Sequence, residues 1–111
     1  MTSFRLDDIG ADLAIVRVEG RLNMVAAPEL RDVVARAVKE GRTRLVIDLS
    51  TVEFMDSSGL GALIGALKTA RGAGGDLRIA APGEQVAMVL QLSNVDRILK
   101  PYETADAAFR D

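Results

Sequence analysis

Asp56-Ser57-Ser58-Gly59-Leu60-Gly61 stands between an apolar run, Leu45 to Leu49, and a helical pattern from about Gly59 to Arg71. Two hydroxyls sit where a helix is expected to begin. On a wheel of ~100° per residue, Leu60, Leu63, Ile64, Leu67 and Ala70 fall within roughly a third of the circumference. That arc is read as the core-facing stripe. Opposite it lie Ser58, Gly61, Ala62, Gly65 and Thr69, all small. Ser57 falls nearer the stripe and is expected to cap the helix, which leaves the Ser58 hydroxyl facing solvent.

The first N–H groups of a helix lack internal acceptors, and the helix dipole favours negative charge there. A phosphate on Ser58 meets such donors and adds a charge of roughly −1.5 to −2 at neutral pH. The small residues beyond it leave room for another protein to approach the helix. One reading of this stretch is therefore a switch inside a docking surface. The other is a helix cap followed by glycines that relieve crowding.

Outward from this stretch the chain alternates strands and helices. Phe4 to Asp7 and Leu13 to Glu19 read as strands, with Ala14, Val16 and Val18 on one face. The turn Ile9 to Asp12 is too short for a crossover helix, so the two are expected to form an antiparallel hairpin. Gly20 to Ala27 reads as a loop, Pro28 opens a helix at its first position, and Gly41 ends it. Arg44 to Ser50 is a third strand, with both faces covered. Leu77 to Ala81 is a fourth strand, and Glu84 to Leu92 a helix with Val86, Val89 and Leu90 inward. Ile98-Leu99 reads as a short last strand and Thr104 to Phe109 as a final helix. The pattern predicts one α/β domain over residues 1–111, with a small mixed β-sheet, an N-terminal antiparallel hairpin and packed helices.

Composition narrows the chemistry. With 111 residues the chain can bury one core, and 49% apolar content argues against disorder. The net charge of −2 is interspersed, without the basic patch of a nucleic-acid binder. There is no cysteine, which excludes disulfides and thiolate sites. There is no histidine either, which removes the commonest general base and metal ligand. No segment approaches the ~20 apolar residues of a membrane span, and the N-terminus lacks a signal-type run. A cytoplasmic protein needing no cofactor or metal is expected.

Three catalytic or ligand-binding patterns fail on their own chemistry. Gly59, Gly61 and Gly65 look like a dinucleotide fingerprint, but they lie inside the helix, about nine residues past the strand. Asp7-Asp8, Asp48 and Lys100-Pro101 look like the acidic pocket and lysine of a receiver domain, yet no helix separates the first two strands. Asp48 is better read as a carboxylate bonding loop N–H groups at the end of its strand, and Asp7-Asp8 as a solvated turn. A hydrolase built on Ser57 or Ser58 lacks a base, and the nucleophile elbow is absent. The expectation is a binding protein, not an enzyme. Asn23-Met24-Val25-Ala26 presents apolar side chains just before a helix, as core packing or as part of a partner surface.

Taken together, Gly20-Arg21-Leu22-Asn23, Ala27-Pro28-Glu29-Leu30, Leu45-Val46-Ile47-Asp48-Leu49 and Phe54-Met55-Asp56-Ser57-Ser58-Gly59-Leu60-Gly61 resemble the STAS domain. More narrowly, they resemble the bacterial anti-sigma factor antagonists. The likeness extends over essentially the whole chain, including Asn94 to Leu99. It implies an unphosphorylated form that binds an anti-sigma factor which is also a serine kinase of the histidine-kinase-like ATPase fold, so freeing the sigma factor. It implies phosphorylation by that kinase, using Mg-ATP, on the second serine of the motif, Ser58, and restoration by a metal-dependent serine phosphatase. The wheel points to the same serine.

The candidate partner-binding residues are Asn23, Met24, Asp56, Ser57, Ser58, Gly59, Gly61, Ala62 and Gly65. Family members often carry aspartate where this chain has Asn23, which keeps an acceptor oxygen but loses the charge. The alternative is a STAS scaffold or interaction module without a serine switch, in a stress-signalling complex or a lipid-transport machine.

Overall fold

The computed structural model describes residues 2–109. Its centre is the parallel pair β2 (Leu13–Leu22) and β3 (Arg44–Met55), joined by α1 (Ala27–Lys39). β1 (Ser3–Asp8) pairs antiparallel with β2, as the short Ile9–Asp12 turn requires. α2 (Ser57–Gly72) returns the chain to β4 (Asp76–Ala80), parallel to β3. α3 (Glu84–Leu92) leads to β5 (Pro101–Tyr102), parallel to β4. The five strands lie in the order β1-β2-β3-β4-β5. This is the mixed sheet with a leading hairpin that the alternation of elements implies. No helix among the described residues is long and apolar enough to cross a membrane.

Alternation along the strands decides the two faces. Ala14, Val16, Val18, Leu45, Ile47, Leu49, Leu77 and Ile79 join the buried stripes of the helices in one core. Ile15, Val46 and Ala80 point to the other face, where Ala108, Phe109 and Tyr102 gather on them.

β2 and β3 both outrun their expected ends. Glycine at position 20 suggested a loop, but its φ of +108° is accommodated inside the ladder, between two register shifts. Because β3 also continues to Met55, the paired residues Leu22 and Met55 end the ladder side by side. The residues that follow them, Asn23 and Asp56, are thereby brought to one edge of the sheet.

The C-terminal part differs from the sequence expectation. Leu99 is buried after a 3₁₀ turn, Val95–Arg97, entered through left-handed Asn94, so Ile98-Leu99 forms no strand. Residues 104–109 form turns, not a helix. Six residues are too few to hold a helix without packing along one face. Here the packing pulls Ala108 and Phe109 onto the sheet, with the Phe109 ring 4.2 Å from the Arg78 guanidinium and 5.5 Å from that of Arg44.

Asp48 bonds a backbone N–H as expected but not at a strand end, and Asp7 departs from its expected place altogether. Asp48 sits mid-strand and is buried, accepting from the Ser50 N–H at 3.0 Å and from Arg17 at 2.7 Å. Asp7 is no solvated turn residue but accepts from Arg17 at 2.6 Å. Hydrogen bonding from Arg17, helped by Arg5, holds the Asp7 carboxyl below its ordinary value. Such a group contributes stability above its unfolded pKa of about 3.9, and loses it as pH falls through the folded value. The gap in urea midpoint between wild type and Arg17→Gln should therefore narrow on going from about pH 6 to about pH 3. A gap independent of pH would show that the pair contributes nothing.

Candidate functional site

Asp56 organises the edge where β2 and β3 end. Its extended backbone (φ −107°, ψ −174°) is that of an N-cap, and its Oδ1 accepts from the Gly59 N–H at 2.9 Å. Its carbonyl accepts from the Leu60 N–H at 3.0 Å. The second carboxylate oxygen, Oδ2, accepts from the Met24 N–H at 3.2 Å, across from the other loop. One side chain thus starts α2 and ties down the segment before α1.

Asn23 organises the turn before α1, whose own N-cap, Ala26, has no side-chain hydrogen bond. Its Oδ1 accepts from the N–H groups of Val25 and Ala26 at 3.1 and 3.2 Å, and its carbonyl accepts from Ala27 at 2.8 Å. An aspartate could accept the same bonds, so the neutral amide preserves the loop while removing a charge from the rim. With their backbones held, Met24 and Val25 stand out into solvent, 71% and 83% exposed. Ala26 is buried. Core packing therefore holds for Ala26 and not for Met24 and Val25, which stay open to solvent.

The two serines are placed otherwise than the wheel implied. Asp56, not Ser57, caps the helix, and Ser57 is the exposed hydroxyl. Ser58 is half-buried. Neither hydroxyl makes a hydrogen bond among the described residues. Solvent exposure therefore no longer selects Ser58 over Ser57. The reason is a carboxylate one residue earlier, which outcompetes a serine for the cap and shifts the helix start to Ser57.

The flank of small residues is also not bare. Ala62 is fully buried, as are Ala66 and Gly59, while Leu60 and Ile64 of the supposed inner stripe are only half-buried. A wheel weights large side chains. It does not see that α1 packs beside α2 and buries a second stripe of small ones. Ala62 therefore offers a partner no surface, contrary to the expectation. Nor does Gly59, which is buried where a Cβ would overlap the Leu22 carbonyl oxygen at the end of β2. Gly61 and Gly65 are half-buried under the Arg31 side chain of α1.

Two contributors carried no recognised signal in the sequence. Arg31 is one. Gln85 is the other: its Oε1 accepts from the Met55 N–H at 2.9 Å and its Nε2 donates to the Met55 carbonyl at 3.0 Å. That bracket from α3 fixes the end of β3 immediately before Asp56. Beside it, Phe54 carries the Arg21 guanidinium 5.5 Å from its ring centroid. The rim therefore consists of two exposed apolar side chains, two unbonded hydroxyls and one carboxylate locked by backbone donors.

Known proteins resemble this chain over most of its length. A Thermotoga maritima protein provisionally named an anti-sigma factor antagonist is 36% identical over 74 residues, 67% of this chain and 66% of that protein. An anti-sigma-B factor antagonist of Staphylococcus epidermidis is 28% identical over 92 residues, 83% of this chain and 85% of the relative. The crystal structure of an anti-sigma factor antagonist from Mycobacterium paratuberculosis superposes with a TM-score of 0.84 at 29% identity, covering 96% of this chain and 89% of that one. A family model described as the STAS domain matches residues 6–108, and the chain belongs to that family.

Proposed function

We propose that this chain is an anti-sigma factor antagonist, acting by binding and not by catalysis, and switched by phosphorylation at Ser58. Its unphosphorylated rim docks an anti-sigma factor that is also a serine kinase of the histidine-kinase-like ATPase fold, in the cytoplasm. The observation that carries this reading is the double hold of Asp56, which sets exposed Met24 and Val25 beside the serines at the head of α2. The relatives' names support the antagonist role. The choice of Ser58 over the more open Ser57 is supported by the likeness of the Asp-Ser-Ser-Gly-Leu-Gly motif to the family's.

The switch is electrostatic. The Ser58 Oγ takes the γ-phosphoryl group of Mg-ATP, gives up its proton, and ADP leaves. A charge of about −1.5 to −2 then stands beside the Asp56 carboxylate, whose two backbone bonds keep it from turning away. Covering that pair with a partner costs several kcal/mol in desolvation, and each ~1.4 kcal/mol is tenfold in affinity. A serine phosphatase reverses the change.

Pull-down and titration with Ser58→Ala and Ser58→Glu test this reading. The alanine form should retain an ATPase-fold partner that the glutamate form binds at least roughly 100-fold more weakly. Mass spectrometry after incubation with the kinase and Mg-ATP should find one phosphate, absent from Ser58→Ala and present in Ser57→Ala. Equal retention by the alanine and glutamate forms would overturn the switch. Half-burial of Ser58 and the neutral Asn23 favour a second reading, a STAS scaffold without a phospho-switch, for which the chain stays unmodified and both variants bind alike.

A further inference from the structure

Arg31 occupies the flank that the small residues of α2 leave open. A Cβ at Gly61 would lie 3.8 Å from its Nη2, and one at Gly65 3.7 Å from its Nε. The side chain therefore passes from α1 over a two-glycine track on α2, at a distance that leaves room for a Cβ at either glycine. It makes no hydrogen bond or ion pair among the described residues. The positions three and four away on its own helix are Ala27, Pro28, Val34 and Ala35, so no carboxylate stands at pairing distance there. Ser58 precedes Gly61 by three residues and Gly65 by seven, which puts all three on one flank. Side chains three apart on a helix hold their Cβ atoms about 5–6 Å from one another.

We propose that Arg31 is the positioning residue that receives the phosphate of Ser58, drawing it over the Gly61–Gly65 track and clasping α1 to α2. The inference rests on Ser58 as phosphoacceptor and deepens that reading. A guanidinium meets a phosphate with parallel N–H donors, which fixes direction as well as supplying charge. The modified flank then differs from the unmodified one in two ways. An unpaired cation disappears from the surface, and the shallow track beside the rim is filled. A Cβ alone at Gly61 or Gly65 would make only ordinary contact with the guanidinium, so it is side chains larger than alanine that would hold it off the helix. Of the other charged groups near this flank, Asp56 acts against the phosphate dianion, and Lys68, on the next turn of α2 beyond Gly65, acts for it. Glu29 and Asp32, the carboxylates near Arg31 in α1, act against it, and all four are unchanged in the variants below.

Phosphoserine installed at position 58 during translation allows the test without any kinase. A phosphoserine titrates with a second pKa of about 6. A paired guanidinium should lower this by about one pH unit or more in a ³¹P NMR titration of the whole chain. Arg31→Gln should bring the value back up, and Arg31→Lys should fall between. Phosphoserine at position 57, on a different flank, should titrate alike with and without Arg31. An unchanged titration of phosphoserine 58 in Arg31→Gln, with the fold intact by circular dichroism, would overturn the proposal. Whether a kinase selects Ser58 is read separately by mass spectrometry, so failure of that assignment and failure of the clasp give different results.

Discussion

Gly59→Ala is expected to destabilise the domain by about 3 kcal/mol, although the substitution lies within a helix. In an exposed helix interior the same exchange usually stabilises, by about 0.5–1 kcal/mol, because glycine loses more backbone freedom on folding. Here the sign is reversed by one neighbour. The added methyl would overlap the Leu22 carbonyl oxygen, with the Leu22 carbonyl carbon 2.9 Å away, and neither belongs to a flexible side chain. Relief requires α2 to move off the end of β2, which also stretches the Asp56 N–H to Leu22 carbonyl bond, already 3.4 Å. Gly72→Ala is the internal control. It closes the same helix with nothing within 4 Å of its Cβ position, and should be neutral or slightly stabilising. Urea denaturation at unchanged m-value measures both. A Gly59→Ala variant as stable as wild type would show that the helix start is not seated on β2.

Asp56→Ala is expected to cost about 2–4 kcal/mol, combining a lost N-cap with a lost charge-assisted bond to the Met24 N–H. The larger consequence is for the rim. Without its second anchor the Met24–Val25 segment is no longer ordered against α2, and a partner must then order it on binding. Binding should thus fall by more than the unfolded fraction accounts for, at temperatures where the variant is still folded. Asp56→Asn keeps one acceptor oxygen and should lie between the two. Amide hydrogen exchange at Met24 reads the anchor directly. Protection should be lost in Asp56→Ala, and unchanged protection would show that the loop is held by Asn23 alone.

Some elements were legible because local chemistry and tertiary packing agree on them. α3 occupies Glu84–Leu92 as its pattern implies, bounded by Pro82-Gly83 before and Ser93 after. The hairpin follows from a turn with no room for a helix, and α1 opens at the proline-bearing turn. The errors fall where a neighbour overrides the local signal. Gly20 ends a strand on propensity, yet continued pairing with β3 carries β2 through it to Leu22. Thr104 to Phe109 has the spacing of a helix, but the sheet face beneath it takes Ala108 and Phe109 into turns. A serine pair suggests its own cap, but the carboxylate of Asp56 takes that place.

By itself the sequence determined the class of domain and the order of its elements as far as α3. Those depend on periodicity, turn residues and missing residue types, all local properties of a chain. Only the tertiary structure decided which hydroxyl stands open, that Ala62 and Gly59 face inward, and that Arg31 lies across Gly61 and Gly65. Each of these is a contact between segments remote in sequence, and a helical wheel drawn for one helix contains no term for its neighbour.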